Sequence, residues 1–369
     1  MADSINQTLG INTGFRYDSN PLYSVTNSQS AWTATFAPTY TVDTDIGQNE
    51  LSLTAGLNVQ RSSNVYVLVN RNDPTATLNW TRILQNGTLT VTAHYEQDST
   101  LFGVSQAGNN LIAEDGTRSL QTLSADWLDN LSDTWQIDNN INTSDVTYNF
   151  NNLGNNNLAA LMSNYQTTVY SSKISKTMSD TLSAFGQIAY TQFSLDSQPV
   201  SENQVSAVLG LQSQLSQSLN LLVDAGAVNS SGSSYTPIGG IPSSSASSIG
   251  AIGTATLTYQ GLRSSGTLLA SRTNLPSGFG GFLVTDRISG QYSYDLSDKN
   301  SIGAGYSYFK NTTLFIESGN QANIWFNRQI TTALGLKLML LQNSFSAPGF
   351  PATADNAVSL FLTYNNPDF

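Results

Sequence analysis

The chain has a single histidine, His94, two residues from Glu96. They lie in a run where Thr88, Thr90, Thr92, His94 and Glu96 alternate with Leu89, Val91, Ala93 and Tyr95. Residues two apart in a strand share a face, so this imidazole and carboxylate stand side by side. Such a pair is the base-and-orienter half of a hydrolytic triad. The other ionisable groups on comparable faces are scattered: Arg16, Asp43, Asp126, Asp138, Asp224, Arg287 and Lys337. There is no second histidine and no cysteine to build a relay or a metal shell. The expectation is no catalytic residue, no metal and no cofactor, since a lone His with dispersed Asp makes no ligand set. Gly278-Phe279-Gly280-Gly281 lacks both the spacing and the following helix of a phosphate loop. The nine groups read instead as the lining of a wet interior.

The elements that carry them are strands. Val205, Ala207, Leu209 and Leu211 alternate with Ser206, Val208, Gly210 and Gln212; after a polar break, Leu219, Leu221, Val223, Ala225 and Ala227 alternate with Asn220, Leu222, Asp224 and Gly226. The same phase runs through Gln7–Tyr17, where Leu9, Ile11, Phe15 and Tyr17 oppose Gly10, Asn12, Gly14 and Arg16. It holds again in Leu51–Gln60 and in Thr254–Gln260. Period two with one greasy face means half-buried strands. Either a second sheet covers that face or lipid does.

Composition favours lipid. Only 11% of the 369 residues are charged, against about 25% in an average soluble protein. Mean hydropathy is nevertheless −0.18, because Ser, Thr, Asn, Gln and Gly replace the charges. A barrel with an apolar outside and a neutral polar inside has this mixture. The net charge of −11 argues against nucleic acid, which requires Lys and Arg clusters. No run of eighteen apolar residues encodes a transmembrane helix. Met1-Ala2-Asp3-Ser4 reads as a mature start with an added Met, without a signal peptide.

Short and long connections alternate. Short turns are expected near 45–48, 85–87, 129–133, 176–180, 216–218, 261–265, 297–300 and 328–331. Several share a form, as in Leu131-Ser132-Asp133-Thr134 and Met178-Ser179-Asp180-Thr181. Longer loops fall at 18–29, 62–73, 98–116, 146–160, 229–248, 311–321 and 344–355, with shorter ones near 197–202 and 274–278. This predicts an all-β fold: one closed antiparallel transmembrane β-barrel of about 18 strands, an up-and-down meander occupying residues 1–369 as a single domain, in a bacterial outer membrane. A solenoid would repeat at near-constant spacing, and a row of sandwiches would need linkers. Trp80, Trp127, Trp135, Tyr259 and Tyr294 lie near short turns, and Phe15, Tyr17, Trp32, Tyr190 and Tyr308 towards the long loops, as two headgroup-level belts would. The last strand is read as Ala357–Tyr364, followed by Asn365-Asn366-Pro367-Asp368-Phe369.

A terminal Phe after an amphipathic strand resembles the insertion signal of bacterial outer-membrane barrels, although Phe369 is out of phase and Pro367 cannot donate to a ladder. Gly14-Phe15-Arg16-Tyr17-Asp18-Ser19-Asn20-Pro21 resembles the first-strand pattern of the beta-barrel porin family found with bacterial exopolysaccharide export loci. That resemblance implies passage of polysaccharide, with periplasmic export partners.

The lining suggests the same cargo class by a different route. Hydroxyls and amides exchange hydrogen bonds with a neutral glycan at little net cost, whereas an anionic polymer calls for arginine and lysine rings. The expected partners are outer-membrane lipids and lipopolysaccharide, and a neutral or weakly charged saccharide. The alternatives are a general diffusion porin for a small polar solute, and a structural sheath around a partner protein. An inward-folded loop would favour the porin. The long loops 229–248 and 98–116 are the expected gates, the second through Leu101, Phe102 and Val104.

Overall fold

The computed structural model describes residues 4–25, 27–101, 115–150, 162–196, 201–232, 234–235, 242–243, 248–278, 280–311, 317–346 and 351–366. Strands β1 (Ser4–Asp18), β2 (Ala31–Ile46), β3 (Asn49–Ser62), β4 (Arg71–Ile83), β5 (Gly87–Ser99) and β6 (Thr117–Asn130) open the chain. Next come β7 (Trp135–Asn149), β8 (Tyr165–Ser179), β9 (Leu182–Leu195), β10 (Ser201–Ser216), β11 (Leu219–Gly232) and β12 (Ser248–Gln260). Then follow β13 (Ser264–Ser277), β14 (Gly281–Ser297), β15 (Asn300–Asn311), β16 (Glu317–Gln329), β17 (Leu334–Ser346) and β18 (Thr353–Asn366). A two-residue ribbon, Ser234–Tyr235 with Pro242–Ser243, decorates the loop after β11.

Each strand pairs antiparallel with the next, and β18 returns to β1, from Leu9 opposite Asn366 to Asp18 opposite Ala357. The 18-stranded sheet is therefore closed, which leaves no edge with unpaired backbone groups. The eight short turns and nine longer loops follow the expected order, mostly within a few residues of their expected places; the connection expected near 274–278 falls at 278–280, because Asn274–Ser277 still pair with β14. The end strands are longer than the pattern suggests. Thr353–Asn356 still pair with β17, and Ser4–Asn6 with β2, because ladder bonds continue after the apolar alternation has ended. Residues 367–369 lie outside the described residues.

Pairing fixes the faces, since directly opposed residues share a side. Leu53, Leu78 and Ala93 form one row, and Gly186, Leu209 and Ala225 another. Leu209 is 75% exposed and Ile188 62%, so this face has nothing packed over it. Trp80, Trp127, Trp135, Tyr259, Phe15, Tyr17 and Trp32 all belong to it by register. A continuous apolar wall with aromatic residues towards both rims is a lipid-facing surface, and the closed, even-stranded barrel is that of a bacterial outer-membrane protein.

Candidate channel interior

The other face looks into the barrel. All nine polar groups singled out in the sequence stand on it by register. Arg16 opposes Thr33 and Ser359, and Asp43 opposes Asn6 and Ser52. His94 opposes Thr77 and Thr122, and Glu96 opposes Thr75 and Leu120. Asp126 opposes Thr90 and Asn140; Asp138 opposes Leu128 and Lys173. Asp224 opposes Gly210 and Thr254, Arg287 opposes Ser271 and Phe309, and Lys337 opposes Asn327 and Phe361.

They do not converge on one point. His94 does meet Glu96, with Nε2 3.3 Å from Oε2, while its Nδ1 shares a 2.8 Å hydrogen bond with the Thr77 hydroxyl. Arg118 extends this line, 3.6 Å from Glu96 and 3.1 Å from Asp98. The result is one continuous polar row, Thr77–His94–Glu96–Arg118–Asp98, along the wall of β4, β5 and β6. Asn140 Nδ2 donates to Asp126 at 3.4 Å. Lys173 Nζ lies 4.5 Å from the centre of the Phe185 ring, a cation–π contact.

The interior is more charged than the nine groups alone make it, for Arg71, Arg118 and Lys173 also point inwards, and so do Asp18, Asp73, Asp98 and Asp355. Their phase was legible: Lys173 stands between Ser171 and Ser175, and Asp98 continues the line of His94 and Glu96. What spacing did not reveal is how thoroughly these charges are paired. Arg16 lies 2.6 Å from Asp18. Arg71 is buried between Asp73 at 2.7 Å and Asp115 at 3.0 Å. Asp355 accepts from the Asn20 N–H at 2.8 Å and pins the first long loop to the wall. In that loop, burial pushes the Tyr23 hydroxyl up to about 12, with the Asp355 charge adding to it.

A chain segment crosses the interior near the long-loop mouth. Ser277 opposes Gly281, and the Gly280 N–H donates back to the Ser277 carbonyl at 3.1 Å. Gly280 has φ 92°, a backbone state open to glycine at little steric penalty. This hairpin tip between β13 and β14 does not turn outwards. The Gly278 carbonyl accepts the Ser163 N–H at 2.8 Å, just ahead of β8, and the Phe282 N–H donates to the Glu202 carboxylate on β10. Phe282 joins Val146, Tyr165, Phe193 and Leu195 in a buried apolar cluster, with Leu120 and Tyr148 against it. The segment is a chord joining β14 to the wall of β7, β8 and β9. Behind it lie β10–β13, with Asp224; in front lie β15–β18 and β1–β6, with Arg16, His94, Glu96 and Lys337.

The crossing loop is one of the shortest on this rim, and it lies outside the two long loops, 229–248 and 98–116, expected to supply the gates. The short loop is held by Phe282 and by inward apolar residues on distant strands. Most of 229–248 lies outside the described residues, as do Phe102 and Val104. Leu101 is 4% exposed and packs with Ala31, Val67, Leu68 and Leu22 in a second cluster at the same mouth.

No family model matches the chain, and no curated protein matches it in sequence. Solved structures do share its architecture. Acinetobacter baumannii OccAB3 aligns over 98% of this chain and 99% of its own, at 12% identity and a TM-score of 0.54. Pseudomonas aeruginosa OpdQ covers 99% and 100%, at 11% identity and 0.54. Pseudomonas aeruginosa OpdK, solved with vanillate, covers 98% of both chains at 10% identity and 0.55. At this identity the likeness is one of fold.

Proposed function

We propose that the protein is a diffusion channel for small polar solutes. The observation that carries this reading is the chord from Gly278 and Phe282 to Ser163 and Phe193, which narrows the mouth of an otherwise wide barrel. A barrel of this strand number encloses an aqueous bore unless something fills it. A polymer conduit requires that bore to be open along its length, so the chord favours the solute channel over the polysaccharide conduit that the first-strand resemblance implies. OpdK, of the same architecture, was solved with vanillate, a small carboxylate, which is in keeping with this size class.

The wall in front of the chord mixes Thr, Ser, Asn and Gln with charges that already hold counter-charges, as Arg118 does with Asp98 and Glu96. Such a wall offers replaceable hydrogen bonds and weak net fields, which suits neutral or weakly charged solutes. Single-channel recording in a planar bilayer, paired with liposome swelling over a size series of sugars, tests it. The expected result is steady conductance, permeation of mono- and disaccharides, and exclusion of longer glycans. Free passage of a long neutral glycan, or no conductance from inserted, heat-modifiable protein, would sink the reading.

A further inference from the structure

The eight short turns share a feature that neither the barrel nor the channel requires. Leu131, Met178, Leu215, Leu296 and Ile330 each stand directly before the residue that opens a turn. The other three turns carry Ile46, Leu84 and Leu262. All eight side chains are exposed, from 36% at Leu84 to 105% at Leu262.

Their direction follows from the backbone. In β8, β10 and β14 the pairing register slips by one residue at the turn, and the residue passed over is Met178, Leu215 or Leu296. At Ile330 two successive N–H groups, those of Ile330 and Thr331, donate to one carbonyl, Leu334, at 2.8 and 3.1 Å. Both patterns are β-bulges, in which two residues oppose one. The bulge sets the extra aliphatic chain beside an outward neighbour: Met178 by Leu182, Leu215 by Leu219, Ile330 by Leu334. Ile46 and Leu84 reach the same side through pairing with Asn49 and Gly87. An ordinary hairpin would end in polar residues facing water. Except at Leu262, which stands beside the inner-face residues Asp295, Ser301 and Asn327, each turn starts with an aliphatic side chain that continues the lipid-facing wall past the strand end.

Charge points the same way. Among the described residues, the strand side chains on the outer face at this rim include Arg82, Lys176 and Arg328, against Asp129. Lys176 Nζ lies 4.9 Å from the Trp135 ring centre, at the level of the aromatic belt. Long basic side chains at that level reach headgroup phosphates while their stems stay in apolar surroundings.

We infer that the short-turn rim is a lipid-embedded collar: its aliphatic ring sits at the boundary between acyl chains and headgroups of the adjoining leaflet, and Arg82, Lys176 and Arg328, two residues nearer the midplane than Leu84, Met178 and Ile330, extend past the ring to anionic phospholipid headgroups. The occupant is lipid rather than a protein because seven of the eight side chains continue the lipid-facing wall around the barrel, and because the cations share that outer face within one side-chain length of the ring.

The native chain has no cysteine, so single-cysteine variants are direct probes. Leu131→Cys, Leu215→Cys and Ile330→Cys would be labelled with an environment-sensitive fluorophore in phosphatidylethanolamine–phosphatidylglycerol vesicles. Asp133→Cys and Asp180→Cys, at the turn tips, are the references. The expected result is strong quenching of the collar sites by acyl-chain nitroxides and several-fold weaker quenching by iodide than at the references. Iodide quenching equal to that at Asp133→Cys overturns the inference, including the case where the ring docks a soluble partner. In the Arg82→Gln, Lys176→Gln, Arg328→Gln triple variant, preference for spin-labelled phosphatidylglycerol over phosphatidylcholine should fall. An unchanged preference overturns the headgroup assignment.

Discussion

Phe282 packs on Phe193 with ring centroids 5.8 Å apart and planes inclined by 52°, although four strands separate β9 from β14 around the barrel. The contact spans the interior, because the outer wall offers no route between them. Phe193 is 1% exposed and Phe282 8%. Truncating a buried Phe to Ala costs about 3–5 kcal/mol in a packed core. Here much of that loss falls on loop docking. Phe282→Ala is expected to raise single-channel conductance and its noise while the barrel stays heat-modifiable. Phe193→Ala should do the same, and the double variant should add little, since either change alone removes the contact.

Gly278 tests the chord from its other end. A Cβ there would lie 2.9 Å from a Tyr148 ring carbon and 3.2 Å from the Ser163 carbonyl. Gly278→Val should push the tip off β8 and reproduce the Phe282→Ala conductance. Identical conductance to the native channel would mean that the chord does not limit flow.

Arg71 is enclosed by two carboxylates, with the side chains of Arg71, Asp73 and Asp115 all 5% exposed or less. Removing one partner of a buried ion pair strands the other and costs about 3–5 kcal/mol. Arg71→Gln should lower the urea midpoint for unfolding from lipid vesicles by that order. Arg71→Gln with Asp73→Asn should recover part of the loss, as a double-mutant cycle would measure.

Lys337 presents the opposite case, exposed on the inner wall of β17. Lys337→Glu should shift the reversal potential in a salt gradient towards cation preference. Stability should change by no more than about 0.5 kcal/mol, as at other solvated sites. An unmoved reversal potential would place Lys337 away from the ion path.

Leu209 projects from the outer wall and is 75% exposed. Arginine on a lipid-facing strand costs about 2–4 kcal/mol at the bilayer midplane. Leu209→Arg should weaken refolding into vesicles by that amount. Gln212→Arg, on the inner face of the same strand, should have little effect.

The alternation of Leu219, Leu221, Val223 and Ala225 with Asn220, Asp224 and Gly226 was enough, repeated along the chain, to determine barrel, turns and faces. Backbone stereochemistry makes that possible. Side chains in a strand must alternate, so a polar or apolar phase is a local property that needs no knowledge of neighbours. The inward direction of Arg16, His94 and Asp224 was legible for the same reason. So was the aliphatic residue at each short turn, a repeat visible once turns were aligned.

Tertiary structure alone decided which loop enters the barrel and which charges find partners. Val146, Tyr165 and Phe193 break the polar inner phase at the long-loop ends of three strands, yet nothing in their own segments names Phe282 as the residue they receive. Arg71 likewise meets Asp115 across a loop of another hairpin. Such contacts exist only after closure brings distant strands to face each other across one interior. They depend on where the ring of strands closes, and no local period encodes that.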